Sequence, residues 1–453
     1  MQQFDYVTRV HTSPLEINAA QWNDLLAASD APTPFMRHEY LAALHTSGSA
    51  CAATGWQPQF VTLYNHDETE LLASAPMYVK DHSYGEYIFD WAWARAYQEH
   101  GLRYYPKAVV AVPYTPVPGT RYVCKNGLQI NELMRKQLLY CEQNKLSSLH
   151  GLFISEADKC ANDAQQMMAR QTVQFHWTNG APTLATACAA LPPEGARFAL
   201  GRPGGETDAA QIIGEPYGSF DHYLATLTQD KRKKIRAERR KVAQAGITWK
   251  TSEGKAITAQ EWAFFYRCYE RTYLEHGNAP YLTPAFFEAM ANTMPENWVM
   301  FTAQHNKQPI ACSLIAINTV AAYASKTRAT SQNGIQTGIL EVHANRSEEK
   351  IAYGRYWGAL ARVDSLHFEA CYYQPLEWCI ENGYQRFEGG AQGEHKMARG
   401  LLPVVTHSAH WLAQPQFADA VAKFLEREGA GVENYMEHLE ARSPFRSNTG
   451  SLT

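Results

Sequence analysis

The sequence predicts a mixed α/β protein built from the same plan used twice. Each half runs helix, β-hairpin, then strand–helix–strand, the second set follows about 250 residues after the first, and a strand–helix–strand unit requires two parallel strands. In the first half, residues 35–44 (FMRHEYLAAL) set Tyr40, Leu41 and Leu44 on one helical side. Residues 60–65 and 71–80 read as strands around the polar turn 66–70. Residues 108–114 are β-rich. Ile130, Leu133, Met134, Leu138 and Cys141 then recur at helical spacing, and 148–154 reads as the partner strand.

In the second half, 284–294 is a helix with proline near its start, and 298–303 and 309–318 are strands around the turn QHNKQ. Residues 366–369 read as a strand, Pro375 as part of a first helical turn, and Leu376, Cys379 and Ile380 as its apolar face. Gly383 stops that helix, and 384–388 is the next strand. The predicted domains are 1–195 and 196–453. Two stretches, the Ala/Gly/Pro-rich 180–214 and the polar 320–350, read as loop insertions.

Composition narrows the function. At 453 residues, 45% apolar and 19% charged, the chain is globular rather than a disordered polyelectrolyte. Lys plus Arg is 41 against 45 for Asp plus Glu, so anion binding must come from a local patch. The longest apolar stretches, 71–79 and 108–114, are far short of the roughly 20 residues of a membrane span. The N-terminal MQQFDYVTRV carries no signal-peptide pattern, and nine scattered cysteines without a CxxC pair suit reduced thiols in the cytoplasm. No metal-ligand pattern is present.

Four segments can carry chemistry. The glycine-rich GGAQGEHKMARG, 389–400, follows a predicted strand and lets backbone approach a ligand. Gln392, Gly393 and Glu394 would touch substrate there, while His395 offers a base and Lys396 a cation; a plain strand-to-helix turn is the alternative. In LHFEACYYQP, 366–375, Glu369 falls at the carboxyl end of a predicted parallel strand, where open α/β sheets place ligands, and Tyr372 and Tyr373 could close the site. In DKRKKIRAERRKVAQAG, 230–246, Ile235 and Val242 can dock a helix whose Lys231, Arg232, Lys234, Arg236, Arg239 and Arg240 form an anion patch, or simply a solvated face. The aromatic stretch 82–122, with Asp90, Trp91 and Lys107, could line a sugar or peptide groove or a domain interface.

Together HSYGEYIFDWAWARAY, YYPKAVVAVPYTPVPG, KRKKIRAERRKVAQAG, GRYWG, LHFEACYYQ and GGAQGEHKMARG resemble a bacterial family of predicted N-acyltransferases, FemAB-like and related to the GNAT superfamily. The resemblance implies tandem GNAT-like domains, each a twisted mixed sheet flanked by helices. It implies transfer of an acyl or aminoacyl group, from acyl-CoA or aminoacyl-tRNA, to an amine such as that of a cell-wall precursor. One departure concerns CoA: the turn after Glu369 would be ACYYQP, without the glycine that GNAT enzymes set against a pyrophosphate.

The expected chemistry is therefore amide formation, with Glu369 as base and His395 as second choice. Backbone N–H groups near Gly393, or Lys396, would stabilise the oxyanion, and Arg355, Tyr356 and Trp357 of GRYWG would hold the acceptor. A tRNA could contact the basic helix. The alternative function is a non-catalytic module that recognises a muropeptide or another polar ligand.

Overall fold

The structure, a computed structural model, describes residues 6–180, 214–321, 348–391 and 393–446. A small antiparallel sheet orders Val7–His11, Phe60–Tyr64, Leu71–Ser74 and Val123–Cys124. The large sheet has eleven strands among the described residues. It runs from Ile247–Glu253 through Trp298–His305, Gln308–Ala321, Glu348–Ala359, Arg386–Ala391, Met168–Thr178, Leu402–Leu412, Ser148–Ile154, Lys107–Val110 and Met77–Lys80 to Gln57–Pro58.

Two strand–helix–strand units form, the second with Glu348–Ala359 rather than 366–369 as its first strand. Lys107–Val110 runs parallel to Ser148–Ile154, with helix Gly127–Gln143 between them in the chain. That helix starts where Asn126 accepts from the amides of Leu128 and Gln129, and it buries Ile130, Leu133, Met134 and Cys141 on one face. Glu348–Ala359 likewise runs parallel to Arg386–Ala391. The two halves interlock. Met168–Thr178, from the first, lies between Arg386–Ala391 and Leu402–Leu412, from the second; Leu402–Leu412 in turn pairs with Ser148–Ile154. They also share core: Tyr40 meets Phe286 at 5.3 Å and Phe35 meets Tyr353 at 5.3 Å, both edge-on.

Three sequence expectations are corrected. The strand expected over 71–80 is two strands, Leu71–Ser74 in the small sheet and Met77–Lys80 in the large one. Pro76 lies between them and has no N–H to continue a ladder, so the chain changes sheets there. Residues 366–369 are helical, not a strand. The chain turns at Ser365 (φ 65°) into Leu366–Phe368, passes through a π-helical turn at Glu369–Tyr373 and continues as helix Gln374–Glu381.

Proline accounts for the π turn. Pro375 cannot donate to Cys371, and the wider i→i−5 bond from Gln374 N to Glu369 O carries the helix past it. The ACYYQP segment is thus helix, and the connection from strand to helix is 360–365 instead. The strand that pairs in parallel with the glycine-bearing strand is Glu348–Ala359, which contains GRYWG and residues 348–350 expected as loop. The rest of the two predicted insertions, 181–213 and 322–347, lies outside the described residues. No helix among the described residues is long and apolar enough to cross a membrane.

Candidate active site

The site forms where two parallel strands part. Pairing between Glu348–Ala359 and Arg386–Ala391 runs Ile351 to Arg386, Ala352 to Phe387 and Tyr353 to Glu388, then ends. Beyond it, Gly354 to Trp357 and Gly389 to Ala391 diverge into a fork. A bulge sits on each outer ladder at this level. Arg355 is the extra residue opposite Leu314 and Ile315, and Gly389 and Gly390 together stand opposite the single residue Phe175 of Met168–Thr178. Bulges bend a strand and re-aim side chains, and here they open the fork and turn Arg355 out of register.

Glycine is required on both prongs. A Cβ on Gly389 would lie 2.4 Å from Leu401 Cδ2 and 2.8 Å from Phe175 O, and one on Gly354 would lie 2.9 Å from the Phe387 ring. Two cavities, about 290 and 160 Å³, meet at the fork, and Gly354, Arg355, Tyr356 and Gly389 line both.

The larger cavity is walled by Tyr87, Phe89, Tyr114, Tyr269, Tyr273 and Tyr356, with Gln174, Arg355 and Glu388 as its polar members. Glu388 sits at the root of the fork and is 6% exposed. Its Oε1 lies 3.2 Å from Arg386 Nε, while its Oε2 is buried without a hydrogen-bond partner. Burial pushes the carboxyl up to about 7 against the opposing pull of Arg386. Arg355 donates through Nη2 to Tyr114 O at 3.0 Å, and its guanidinium lies over the Phe35 and Tyr356 rings at 5.1 and 5.0 Å. Its Nε is buried and unpartnered.

The smaller cavity is lined by Ser313, Trp357, His367, Cys371, Tyr372 and Lys396, among others. Lys396 is at the fork, but its ammonium, expected to be a free cation, is spent. It donates to the carbonyls of Gly389 (2.6 Å), Gly390 (3.2 Å) and Ala391 (2.8 Å). An ammonium has three donors, so none remains for a ligand anion or an oxyanion. Lys396 instead clamps the curled end of its prong, and burial lowers it to about 8.

Glu369 lines neither cavity. It is buried on the π turn, where its Oε1 accepts from Arg239 Nε at 3.1 Å and Gln374 Nε2 at 2.8 Å. Burial raises its carboxyl, and Arg239 opposes this. His395 is exposed, with Nε2 3.3 Å from the Tyr372 hydroxyl. Burial first, then Arg399 and Lys396, lower its imidazole. Gly393 precedes the short turn of His395 and Lys396; Gln392 and the side chain of Glu394 lie outside the described residues.

Tyr372 lines the smaller cavity, whereas Tyr373 is core and donates to Glu238. Glu238 also receives Arg399 Nη2 at 2.8 Å, and Arg399 stacks 3.6 Å over Phe368. Asp90 and Lys107 line neither cavity. They are buried against each other, with Lys107 also donating to Ser83 at 2.7 Å and Glu86 at 2.8 Å. Trp91 borders a separate shallow groove with Arg95, Arg103, Tyr104 and Tyr105.

The basic helix, Gln229–Gln244, packs beside the smaller cavity, and part of its charge is internal. Arg239 pairs with Glu369 and Glu377, and Arg236 with Asp221. Arg232 donates to Ala225 O at 3.4 Å. Lys231, Lys234 and Arg240 form no ion pair among the described residues, and Lys234 is close enough to help lower His395.

Sequence patterns had not singled out Glu388, Tyr269 or Tyr273; Tyr114 was covered only as part of the aromatic stretch 82–122, from which Tyr87, Phe89 and Tyr114 line the larger cavity. Glu388 ended a predicted strand and carried no pattern of its own. The tyrosines come from two distant segments, Tyr114 from the connection 111–122 and Tyr269 and Tyr273 from helix Ala259–Glu275, that only the fold brings together.

Among solved structures, the C-terminal domain of a putative lysylphosphatidylglycerol synthetase from Agrobacterium fabrum superposes on 90% of this chain and 96% of its own, at TM-score 0.46 and 8% identity. FemX superposes on 90% of this chain and 98% of its own (TM-score 0.45, 8% identity). A tandem GNAT protein from the clavulanic acid pathway does so on 91% and 99% (TM-score 0.40, 9% identity). The model of the FemAB-like family, described as peptidoglycan biosynthesis/recognition, matches residues 13–183, 209–326 and 339–447. The chain therefore belongs to the FemAB-like family.

Proposed function

We propose that the protein forms an amide at the fork, with Glu388 as the base that deprotonates an acceptor amine. The observation that carries this is the meeting of two cavities at diverging strand ends, with a buried carboxyl at the root that titrates near neutrality. A base tuned close to the working pH takes and releases a proton efficiently, which is typically worth about 10²–10⁴-fold. Tyr356, 3.4 Å from Arg355 through its hydroxyl and facing both cavities, serves as donor to the carbonyl oxygen.

The acceptor occupies the larger cavity, and the acyl group enters from the smaller one. There Lys234, which lies near His395, would meet the phosphates of a CoA thioester or an aminoacyl-tRNA. A cell-wall precursor or muropeptide supplies the amine, and the reaction takes place in the cytoplasm. Glu369 in this scheme holds the basic helix through Arg239 and moves no proton.

The test is mass spectrometry of amide products with acyl-CoA and aminoacyl-tRNA donors and a muropeptide acceptor. Glu388→Gln should lower kcat by about 10²–10⁴-fold while the protein still melts cooperatively. Unchanged turnover in Glu388→Gln would remove the model.

A further inference from the structure

Resting on the amide-forming role of the fork, we propose that the larger cavity selects an acceptor whose amine and carboxylate sit on one carbon. Such an α-amino-acid head would place its carboxylate on Arg355 and its amine at Glu388. The argument begins with two buried polar groups whose needs the protein leaves unmet. Arg355 forms no ion pair among the described residues, and its Nη2 donates to a neutral carbonyl and to hydroxyls. Its Nε has no partner. Glu388 has an unpartnered Oε2. Buried polar groups are nearly always satisfied, and buried charges are nearly always paired.

These two residues have opposite charges and line the same cavity, yet they do not pair with each other; the carboxylate's ion-pair partner is Arg386. A ligand with the complementary pair of charges satisfies both at once. An amine alone would leave Arg355 unpaired, and a carboxylate alone would face Glu388. The remaining wall is aromatic, from Tyr87, Tyr114, Tyr269 and Tyr273, which suits an apolar or flat side chain. At about 290 Å³ the cavity lies at the low end for small-molecule sites, the size of a single residue rather than a long chain.

The step balances as follows. The ammonium of the head gives one proton to Glu388, and the free amine attacks the acyl carbon of a thioester or ester. The C–N bond forms and the bond to sulfur or oxygen breaks. The second amine proton leaves with the thiol or hydroxyl, and Glu388 returns its proton to solvent.

The experiment is calorimetric titration of the full chain at pH 8. Titrants are the twenty free amino acids and a peptide whose side chain ends in the same head, followed by the N-acetyl and carboxamide forms of the best binder. Each blocked form should bind about 10-fold to 100-fold more weakly than its parent. Arg355→Gln should lose discrimination between acid and carboxamide, and Glu388→Gln that between amine and N-acetyl, a crossed pattern that misfolding does not produce. Equal binding of acid and carboxamide, or no binding by any titrant, overturns the proposal. Binding that needs both groups, without acyl transfer to that amine, upholds the recognition and refutes the transfer role. Transfer to amines lacking a carboxylate at equal kcat/KM does the reverse.

Discussion

The two halves contain the same parting of parallel strands and treat it in opposite ways. In the first half, Lys107–Val110 and Ser148–Ile154 pair from Ala108 to Val110 and then separate. The connection 111–122 returns into that gap: Gly119 N donates to Phe153 O, and Arg121, wholly buried, donates to the carbonyls of Val117, Gly119, Thr120 and Leu152. In the second half the corresponding opening is lined by Gly354 and Gly389, Lys396 ties back its lip, and two cavities remain. Topology therefore supplies two crevices, and a buried guanidinium fills one of them. A duplicated scaffold can thus carry one working site and use its twin as core.

The comparison can be broken at either fork. The largest effect is expected at the filled one. Arg121→Met strands at least three carbonyls around a wholly buried side chain, so it should cost about 3–5 kcal/mol in urea unfolding. A loss below about 1 kcal/mol would mean that the guanidinium does not hold that fork shut.

At the open fork, Lys396→Met releases three carbonyls that water can reach through the cavity. The expected cost is smaller, about 1–3 kcal/mol, with turnover falling further than stability because the prong carries the site. Equal activity with a lower melting temperature would make the clamp merely structural.

The smallest effect concerns pH. The folded Glu388 carboxyl titrates at about 7, above its ordinary 4.5, so the native state binds more protons than the unfolded one between these values. Its contribution to stability is present below about 4.5 and is lost as pH rises through about 7. Glu388→Gln, which stays neutral, should therefore be more stable than the natural protein at pH 8, by on the order of 2 kcal/mol, and nearly equal to it at pH 4.5. A variant less stable at pH 8 would contradict the raised carboxyl and, with it, the choice of base.

Much of the fold was legible locally. The apolar spacing of Ile130, Leu133, Met134 and Cys141 marks a helix that buries those residues, and the basic stretch forms a helix docked through Ile235 and Val242. The segment 366–369 misled because its apolar and polar residues alternate as a strand's do, while Leu366, Ala370, Tyr373 and Leu376 bury on helical spacing. Of the candidate site, Arg355, Tyr356, Trp357, Tyr372 and Lys396 do meet at the cavities. Glu369, Asp90 and Lys107 are buried elsewhere in ion pairs, and no local signal distinguishes a paired carboxylate from a free one.

By itself the sequence determined most element types, the repeated order and the glycine cluster at the end of a strand, since these rest on interactions between residues near in the chain. Tertiary structure alone decided which fork stays open and which carboxylate stands in it. A charge's role depends on its neighbours in space: Arg239 reaches Glu369 across 130 positions, whereas Glu388 is left with an oxygen that nothing in the protein satisfies.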